Sequence, residues 1–281
     1  MTTPLLSVFN FSGGKQSSCL LWMLLRGDFR PAGMPIVINA DPGMEDSRTY
    51  DYVAMMKAKC AEACIEFITA PGPNLYHDLM TLEGKKRFDA PAYYVTNPQG
   101  RTGKLMQACT KVYKIAPTDR VVRQVLHSEF GINPKASPPP RSVELIIGFH
   151  AGEWHRCSET GKKFSYFRYP LIEMKMDDAM VAGYFLKHNL PKPPRSVCNA
   201  CFANDIPYFR EMHANRAADW EKAIAVDDAI RHGLPGVNGE AFVTRYRIPL
   251  REMPSLNFIP PGYDPEKERE QTCNQGGHCF I

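Results

Sequence analysis

The segment Ser12-Gly13-Gly14-Lys15-Gln16-Ser17-Ser18 combines residue types that can grip an anion. Two glycines let the backbone turn sharply and come close to a ligand. The start of a helix offers unpaired N–H groups and a favourable dipole. Lys15 adds a positive charge, and Ser12, Ser17 and Ser18 add hydroxyl donors. The apolar run Leu5 to Phe11 before this segment reads as a buried strand, and Ser17 to Arg26 after it has helical character. A plain strand-to-helix turn capped by Ser17 is the other reading of the same residues. The glycine spacing ahead of Lys-Ser is not the Walker pattern.

A second polar stretch, Asp41-Pro42-Gly43-Met44-Glu45, follows the apolar run Pro35 to Ala40. The carboxyl ends of strands are where open α/β sheets bind ligands. Asp41 and Glu45 suit magnesium or ribose hydroxyls, or else a capped turn before the next helix. A third stretch, Gly148-Phe149-His150-Ala151-Gly152-Glu153 with Arg156, follows the strand-like Val143 to Phe149. Glu153 can position a metal or water there, and Arg156 and Arg168 can pair with phosphate oxygens, although a solvated charged loop explains Arg168 as well. Trp154, beside Arg156, is a packing residue or a surface on which a base stacks.

The nine cysteines fit metal ligands, reactive thiols or small core residues better than a disulfide framework, and their number is odd. Cys198-Asn199-Ala200-Cys201 has the spacing at which two thiolates reach one metal. Cys19, among Leu20, Leu21 and Met23, reads as core. Cys60 and Cys64 are expected on one helical face as a buried pair. Cys157 is a candidate reactive thiol near Arg156. His213 and His232 read as ordinary helix residues.

The elements that must position these groups follow from periodicity. Strands at 5–11, 35–40, 65–70 and 143–149 and helices at 17–26, 47–64, 111–130, 177–188 and 206–230 predict a doubly wound α/β fold with a mainly parallel sheet. Residues 71–108 and the polar, basic stretch 151–168 carry no clear element. Residues 1–190 are expected to form the nucleotide-binding domain. Residues 191–281 are expected to be a CxxC-containing helical region and tail packed on it. The chain has 281 residues and a net charge of +4, which suits an anionic substrate without demanding nucleic acid. No run is long and apolar enough for a membrane span, and the N-terminus does not read as a secretory signal, so a cytoplasmic location is expected.

The first motif resembles the SGGxxS signature of the PP-loop ATP pyrophosphatases, which include the PAPS reductase family. Asp41 to Glu45 is similar to that family's DTG-x-E stretch, and Gly148 to Glu153 resembles its later strand and loop. The resemblance runs in order over roughly residues 5–210. It implies an adenine nucleotide alpha hydrolase-like fold, with ATP on Ser12, Gly13, Gly14, Lys15, Gln16, Ser17, Ser18 and Asp41. It implies Mg2+ as cofactor and Lys15, Asp41, Glu45, Glu153 and Arg156 as catalytic residues. Gln16 stands where many members have Asp.

Cys109-Thr110-Lys111-Val112-Tyr113-Lys114 resembles the C-C-x-x-R-K element that assimilatory APS reductases pair with a later CxxC to hold a 4Fe–4S cluster. Thr110 takes the place of the second cysteine. The implied ligands are Cys109, Cys198 and Cys201, with Cys273 or Cys279 of the tail as fourth, or three thiolates and one open iron site. Structural zinc on the same residues and no metal at all stay open. The combination resembles the sulfur-transfer enzymes of DNA phosphorothioation systems of the Dnd and Ssp type. That implies ATP-dependent activation of an oxygen for sulfur transfer, a nucleic-acid acceptor (DNA or tRNA), and a cysteine desulfurase or other sulfur carrier as partner. An APS or PAPS reductase using Cys279, but lacking that group's ECG-(I/L)-H motif, and a non-catalytic nucleotide- or nucleic-acid-binding subunit are the alternatives.

Overall fold

A computed structural model describes residues 3–253 of the chain. The elements run β1 (Leu6–Asn10), α1 (Lys15–Arg26), β2 (Met34–Ala40), α2 (Ser47–Glu62), β3 (Glu66–Ala70), α3 (Leu75–Met80), β4 (Tyr94–Thr96) and β5 (Thr102–Lys104). A π-helical turn, Lys111–Ile115, leads into α4 (Ala116–Phe130). Then come β6 (Val143–Ile146), a 3-10 turn at Ala151–Arg156, β7 (Ser165–Arg168), α5 (Pro170–Glu173), α6 (Asp178–Lys187), α7 (Ile206–Asn215), α8 (Ala217–Gly233) and β8 (Glu240–Phe242).

Five strands form one parallel sheet in the order β3-β2-β1-β6-β7. Strand alternation splits the apolar residues between two faces. Leu6, Val8, Ile36, Ile38, Val143 and Leu145 face α4 through Val121, Val122, Val125 and Leu126. Phe9, Val37 and Ile146 share the other core with Leu20 and Leu21 of α1, Met56 of α2 and Phe185 of α6. The sheet is therefore covered on both sides, which is why its inner strands read as continuous apolar runs. The expected doubly wound α/β fold is the observed one. Its order reverses between β1 and β6, and the crevice outside their carboxyl ends is the ligand position of such sheets.

A second core draws on both sides of residue 190. Leu75, Leu79, Tyr93 and Tyr113 pack there with Val197, Phe209, Trp220, Ile224 and Val243. A small antiparallel sheet, β5-β4-β8, pairs Tyr94 with Phe242 and so ties the stretch after β3 to the chain beyond α8. Residues 71–108 thus belong structurally with the cysteine-bearing region rather than forming an irregular loop. The helix expected over 206–230 is two helices, broken at Arg216, whose backbone leaves helical geometry (φ −140°, ψ 66°). Its guanidinium reaches Asp46 at 2.5 Å and Asp219 at 3.4 Å.

The turn after β6 is seated directly on the start of α1. A side chain at Gly148 would lie 2.8 Å from the Ser17 nitrogen and 3.0 Å from the Gln16 carbonyl carbon, both backbone atoms at the start of α1. Gly148→Ala should cost about 1–3 kcal/mol through overpacking, read as a lowered urea midpoint. Wild-type stability in that variant would show that the turn does not press on the helix.

Candidate functional site

Gly13 takes the left-handed conformation (φ 79°) that lets the chain fold back after β1. Helix α1 then starts from Gly14 with no side-chain cap. The amides of Lys15, Gln16 and Ser17, which an α-helix leaves without internal partners, meet no acceptor among the described residues. The serines shape the turn rather than cap it. Ser12 Oγ accepts from the Gly14 N–H at 3.3 Å and lies 3.2 Å from Ser17 Oγ, which donates to the Gly14 carbonyl at 3.1 Å. Ser17 is therefore not the helix cap that the local pattern allowed. Ser18 is fully buried under the turn, because the helical period carries it to the sheet side, so it is not a surface donor of the loop. Lys15 reaches out to Asp178 at the start of α6, at 2.5 Å, with both side chains at least a third exposed.

The second motif is braced from within. Asp41 accepts hydrogen bonds from the Gly43 N–H at 2.7 Å and the Tyr50 hydroxyl at 2.8 Å. Burial and the Asp41 charge push the Tyr50 hydroxyl far up. Glu45 is 6% exposed. Its Oε1 takes the Lys114 ammonium at 2.9 Å, while Oε2 is buried without a partner among the described residues. The same residue joins Cys198 in an antiparallel β-bridge. On either side of it, the Asn199 N–H donates to Met44 O at 2.8 Å and the Asp46 N–H to Val197 O at 3.1 Å. The DPGME segment is thus spliced by backbone to the CxxC segment.

Cys109, Cys198 and Cys201 border one recess of about 60 Å³, together with Thr110, Lys114 and Ser196. Among the described residues no three His, Cys, Asp or Glu are drawn into metal-holding geometry; the thiols border the recess without converging. Cys273 and Cys279 lie outside the described residues. Burial pushes the Cys198 thiol well above its ordinary range; the Glu45 charge adds to this and the Lys114 charge opposes it. A buried thiolate there needs a cation beside it. Three soft thiols therefore suit an iron–sulfur cluster or zinc rather than magnesium. The CxxC backbone is held by Asn204, whose Nδ2 donates to Cys198 O at 2.9 Å, and by Asn199, whose Nδ2 donates to Asp219 at 3.2 Å.

Lys114 also lines a smaller cavity with Asn10, Ser12, Ala40, Glu45 and Thr118, at the carboxyl ends of β1 and β2. It is the side chain common to this cavity and the thiol recess. Sequence reasoning gave it no role, although its π-helical turn, a geometry frequent at functional sites, marks the position. Ser196 was missed too. It packs against Gly14 at the start of α1, where an added Cβ would come within 3.3 Å of its own Cβ.

The third motif is organised but turned inward. Glu153 accepts from the His150 N–H at 3.2 Å and pairs with Arg156, while His150 Nδ1 accepts from the Gly152 N–H, closing a capping box. The buried Arg156 guanidinium stacks 4.2 Å from the Phe149 ring centre. Arg168 bonds Glu144 at 3.2 Å and Glu173 at 3.0 Å, which makes it a sheet-edge ion pair. Trp154, expected as packing or as a stacking surface, is 69% exposed and so is not core.

The remaining cysteines divide by position. Cys19 and Cys60 are buried, with thiols pushed up to about 12 and about 11 by burial. Cys64 is not Cys60's partner on a helix face: α2 ends at Glu62, and Cys64 is exposed in the left-handed region (φ 55°). His213 packs edge-on against Trp220 at 5.1 Å.

No family model matches the chain. No curated protein matches it. Among solved structures it is similar to the U34-tRNA thiolase NcsA from Methanococcus maripaludis with its 4Fe–4S cluster. The two are 15% identical over 82% of this chain and 74% of that one, with a TM-score of 0.42. No helix among the described residues is long and apolar enough to cross a membrane.

Cys157 is exposed, yet its thiol is raised by partial burial first and by the Glu153 charge second. This is the reverse of the activation expected beside Arg156, because Glu153 already holds that guanidinium. Alkylation of Cys157, followed by peptide mass spectrometry across pH, should have its midpoint above that of an ordinary thiol, and Glu153→Gln should move it down. A midpoint below the ordinary range would restore Cys157 as a reactive thiol.

Proposed function

We propose that the chain is a PP-loop ATP pyrophosphatase, PAPS reductase-like, that adenylylates an oxygen of a substrate so that sulfur can replace it. The acceptor on this reading is a nucleic acid, DNA or tRNA, as in phosphorothioation-type modification. A cysteine desulfurase or another sulfur carrier supplies the sulfur. The observation that carries the reading is a side chain shared by two cavities: Lys114, paired with Glu45, lines both the cavity beside Ser12 and the recess bordered by three thiols.

The chemistry asks for positioning and charge more than for a protein nucleophile. ATP phosphates lie on the amides of Lys15, Gln16 and Ser17 in this proposal, where the helix start favours negative charge. An acceptor oxygen attacks the α-phosphorus and forms a P–O bond. The bond to the β-phosphate oxygen breaks, and pyrophosphate leaves. A sulfur nucleophile then displaces AMP, which carries away the acceptor oxygen. Lys114 is placed to offset charge on either side, and Asp41 and Glu45 are the carboxylates available to a magnesium ion accompanying ATP. Cys109, Cys198 and Cys201 would hold an iron–sulfur cluster, with zinc as the alternative; a bound cluster would supply an iron site for sulfur. The net charge of +4 is compatible with a polyanionic acceptor.

Pyrophosphate release from ATP and magnesium, with metal analysis of anaerobically purified protein, tests the reading. The wild type should release pyrophosphate. Lys15→Ala should lose turnover by about 10²–10³-fold, the scale of removing one group that stabilises transition-state charge. Its melting temperature should stay unchanged, because an exposed pair such as Lys15–Asp178 contributes little. Sulfite release from adenylyl sulfate without pyrophosphate release from ATP would make the chain a reductase. Nucleotide binding without any turnover would make it a binding subunit.

A further inference from the structure

Arg141 stands just before β6 and Ser165 opens β7, so the space between them lies at the amino ends of these parallel strands. That is the end of the sheet away from the start of α1. A cavity of about 540 Å³ opens there between Arg141 and the loop 158–163. The volume is within the range of small-ligand sites. The loop is already fixed by the chain itself. The Tyr169 hydroxyl accepts from the Ser158 N–H at 3.0 Å, and the Thr160 hydroxyl donates to Ser165 O at 2.9 Å and accepts from the Lys162 N–H at 3.1 Å. The Arg141 N–H donates to Lys163 O at 2.9 Å, which laces the two walls together.

Three cations, Arg141, Lys162 and Lys163, line the cavity against one carboxylate, Glu159. Lys162 is paired with Asp119. Arg141 and Lys163 are exposed and have no carboxylate partner among the described residues. The Arg141 guanidinium instead lies 4.2 Å from the Tyr166 ring centre. A ring face holds the cation in place without using its N–H donors, which are left for phosphate oxygens. Arg141 is also in the left-handed region (φ 55°), an uncommon conformation for a residue with a side chain. Ser165, on the same wall, is 6% exposed, and its hydroxyl has no partner among the described residues. Unmatched cations, a ring and a spare hydroxyl around one recess suit the phosphate and sugar of a nucleotide unit.

The position decides what kind of molecule carries that unit. Gly148, whose turn abuts Ser17, lies seven residues beyond Arg141 along β6. At ~3.3 Å per extended residue the separation is about 20 Å. A small acceptor cannot touch both places, whereas a strand rising ~3.4 Å per nucleotide spans them with about six. A recess of this size takes one unit of a strand rather than the face of a duplex. We infer that the cavity between Arg141 and loop 158–163 docks the sugar–phosphate backbone of a single nucleic-acid strand, about six nucleotides from the position presented at the start of α1. The inference rests on the nucleic-acid acceptor of the reading given above.

The test is fluorescence anisotropy of the full-length protein with labelled single strands of about 20 nucleotides, DNA and RNA of one sequence, over a range of salt; that length exceeds the six-nucleotide span. The wild type should bind. Arg141→Ala and Lys163→Ala should each weaken binding of every sequence alike and reduce the slope of log affinity against log salt by about 0.7, one lost phosphate contact on a single strand. Lys163→Glu, at an exposed position, should weaken it further and serves if the Arg141 variant fails to fold. Lys57→Ala, on the exposed side of α2, should bind as the wild type does. Equal losses at Lys57 and Lys163 would mean diffuse charge and overturn the inference. So would displacement of the strand by a nucleoside monophosphate at equal phosphate concentration, which would make the cavity a site for free nucleotide. Pyrophosphate release from ATP separates the two readings. Release with strand binding unchanged in the Arg141 and Lys163 variants, or with no strand bound at all, sinks the docking site alone. Absent release with strand binding lost in those variants sinks the ATP chemistry and leaves the docking site standing.

Discussion

Everything in the site depends on the short backbone bridge between Glu45 and Cys198. One side of it continues β2 of the parallel sheet; the other is the CxxC turn of the second core. Neighbouring main-chain bonds from Asn199 and Asp46 extend the pairing, so the two segments cannot slide independently. Asp46, the next residue, caps α2 by accepting the Arg48 N–H at 2.9 Å. It is fully buried, and burial alone would raise its carboxyl, but bonds from Arg48 and Tyr208 and the charge of Arg216 hold it below the ordinary range. Such a buried pair is poor evidence of net stability, since desolvation offsets much of the attraction. Its effect here is one of register. The carboxylate is satisfied only when α7, α8 and the start of α2 meet in one arrangement.

That arrangement brings unlike chemistry to either side of one wall. The side at the start of α1 offers amides and hydroxyls, which are hard donors. The recess offers three thiols, which are soft ligands. Lys114 borders both, paired with the nearly buried Glu45. Its charge counters the rise that burial and Glu45 impose on the Cys198 thiol. Removing the lysine would leave a buried carboxylate beside a thiol that already resists ionisation, so one side chain sets the charge balance of both cavities.

How much of this the sequence displayed depends on the range of the interactions involved. β1, β2 and β6 were legible because burial on both faces, or close to it, leaves runs of apolar residues; β3, an edge strand with Glu66 and Thr69 exposed, was legible from the apolar Ile65, Phe67, Ile68 and Ala70. The turn between β1 and α1 was legible because its glycines and serines act on each other across five residues or fewer. β7 was hidden: its four residues, Ser-Tyr-Phe-Arg, lie at the sheet edge after Lys162 and Lys163, so the stretch reads as a charged loop. β4, β5 and β8 are three residues each, too short to show a period; β4 and β5 form a local hairpin, and β4 pairs with β8 across a long separation that no local pattern records. Glu153 and Arg156 were visible as charges, but their types could not reveal that each is engaged by the other.

The cysteines show the same limit from the opposite side. The CxxC spacing is a local statement about Cys198 and Cys201, and nothing in the periodicity attaches Cys109 to them; the resemblance of its flanking motif supplied that link. The fold supplies the physical reason. The π-helical turn after Cys109 takes five residues, Lys111–Ile115, where the chain enters α4. Within that turn Tyr113 is buried in the second core, where its hydroxyl donates to Asp78 at 2.8 Å, while Lys114 is aimed at Glu45. Fixing these two adjacent side chains in opposite surroundings fixes the turn between them and the cysteine that precedes it. Cys109 is therefore located by the same Glu45 that pairs with Cys198: its side chain anchors the turn after one cysteine, and its backbone anchors the other.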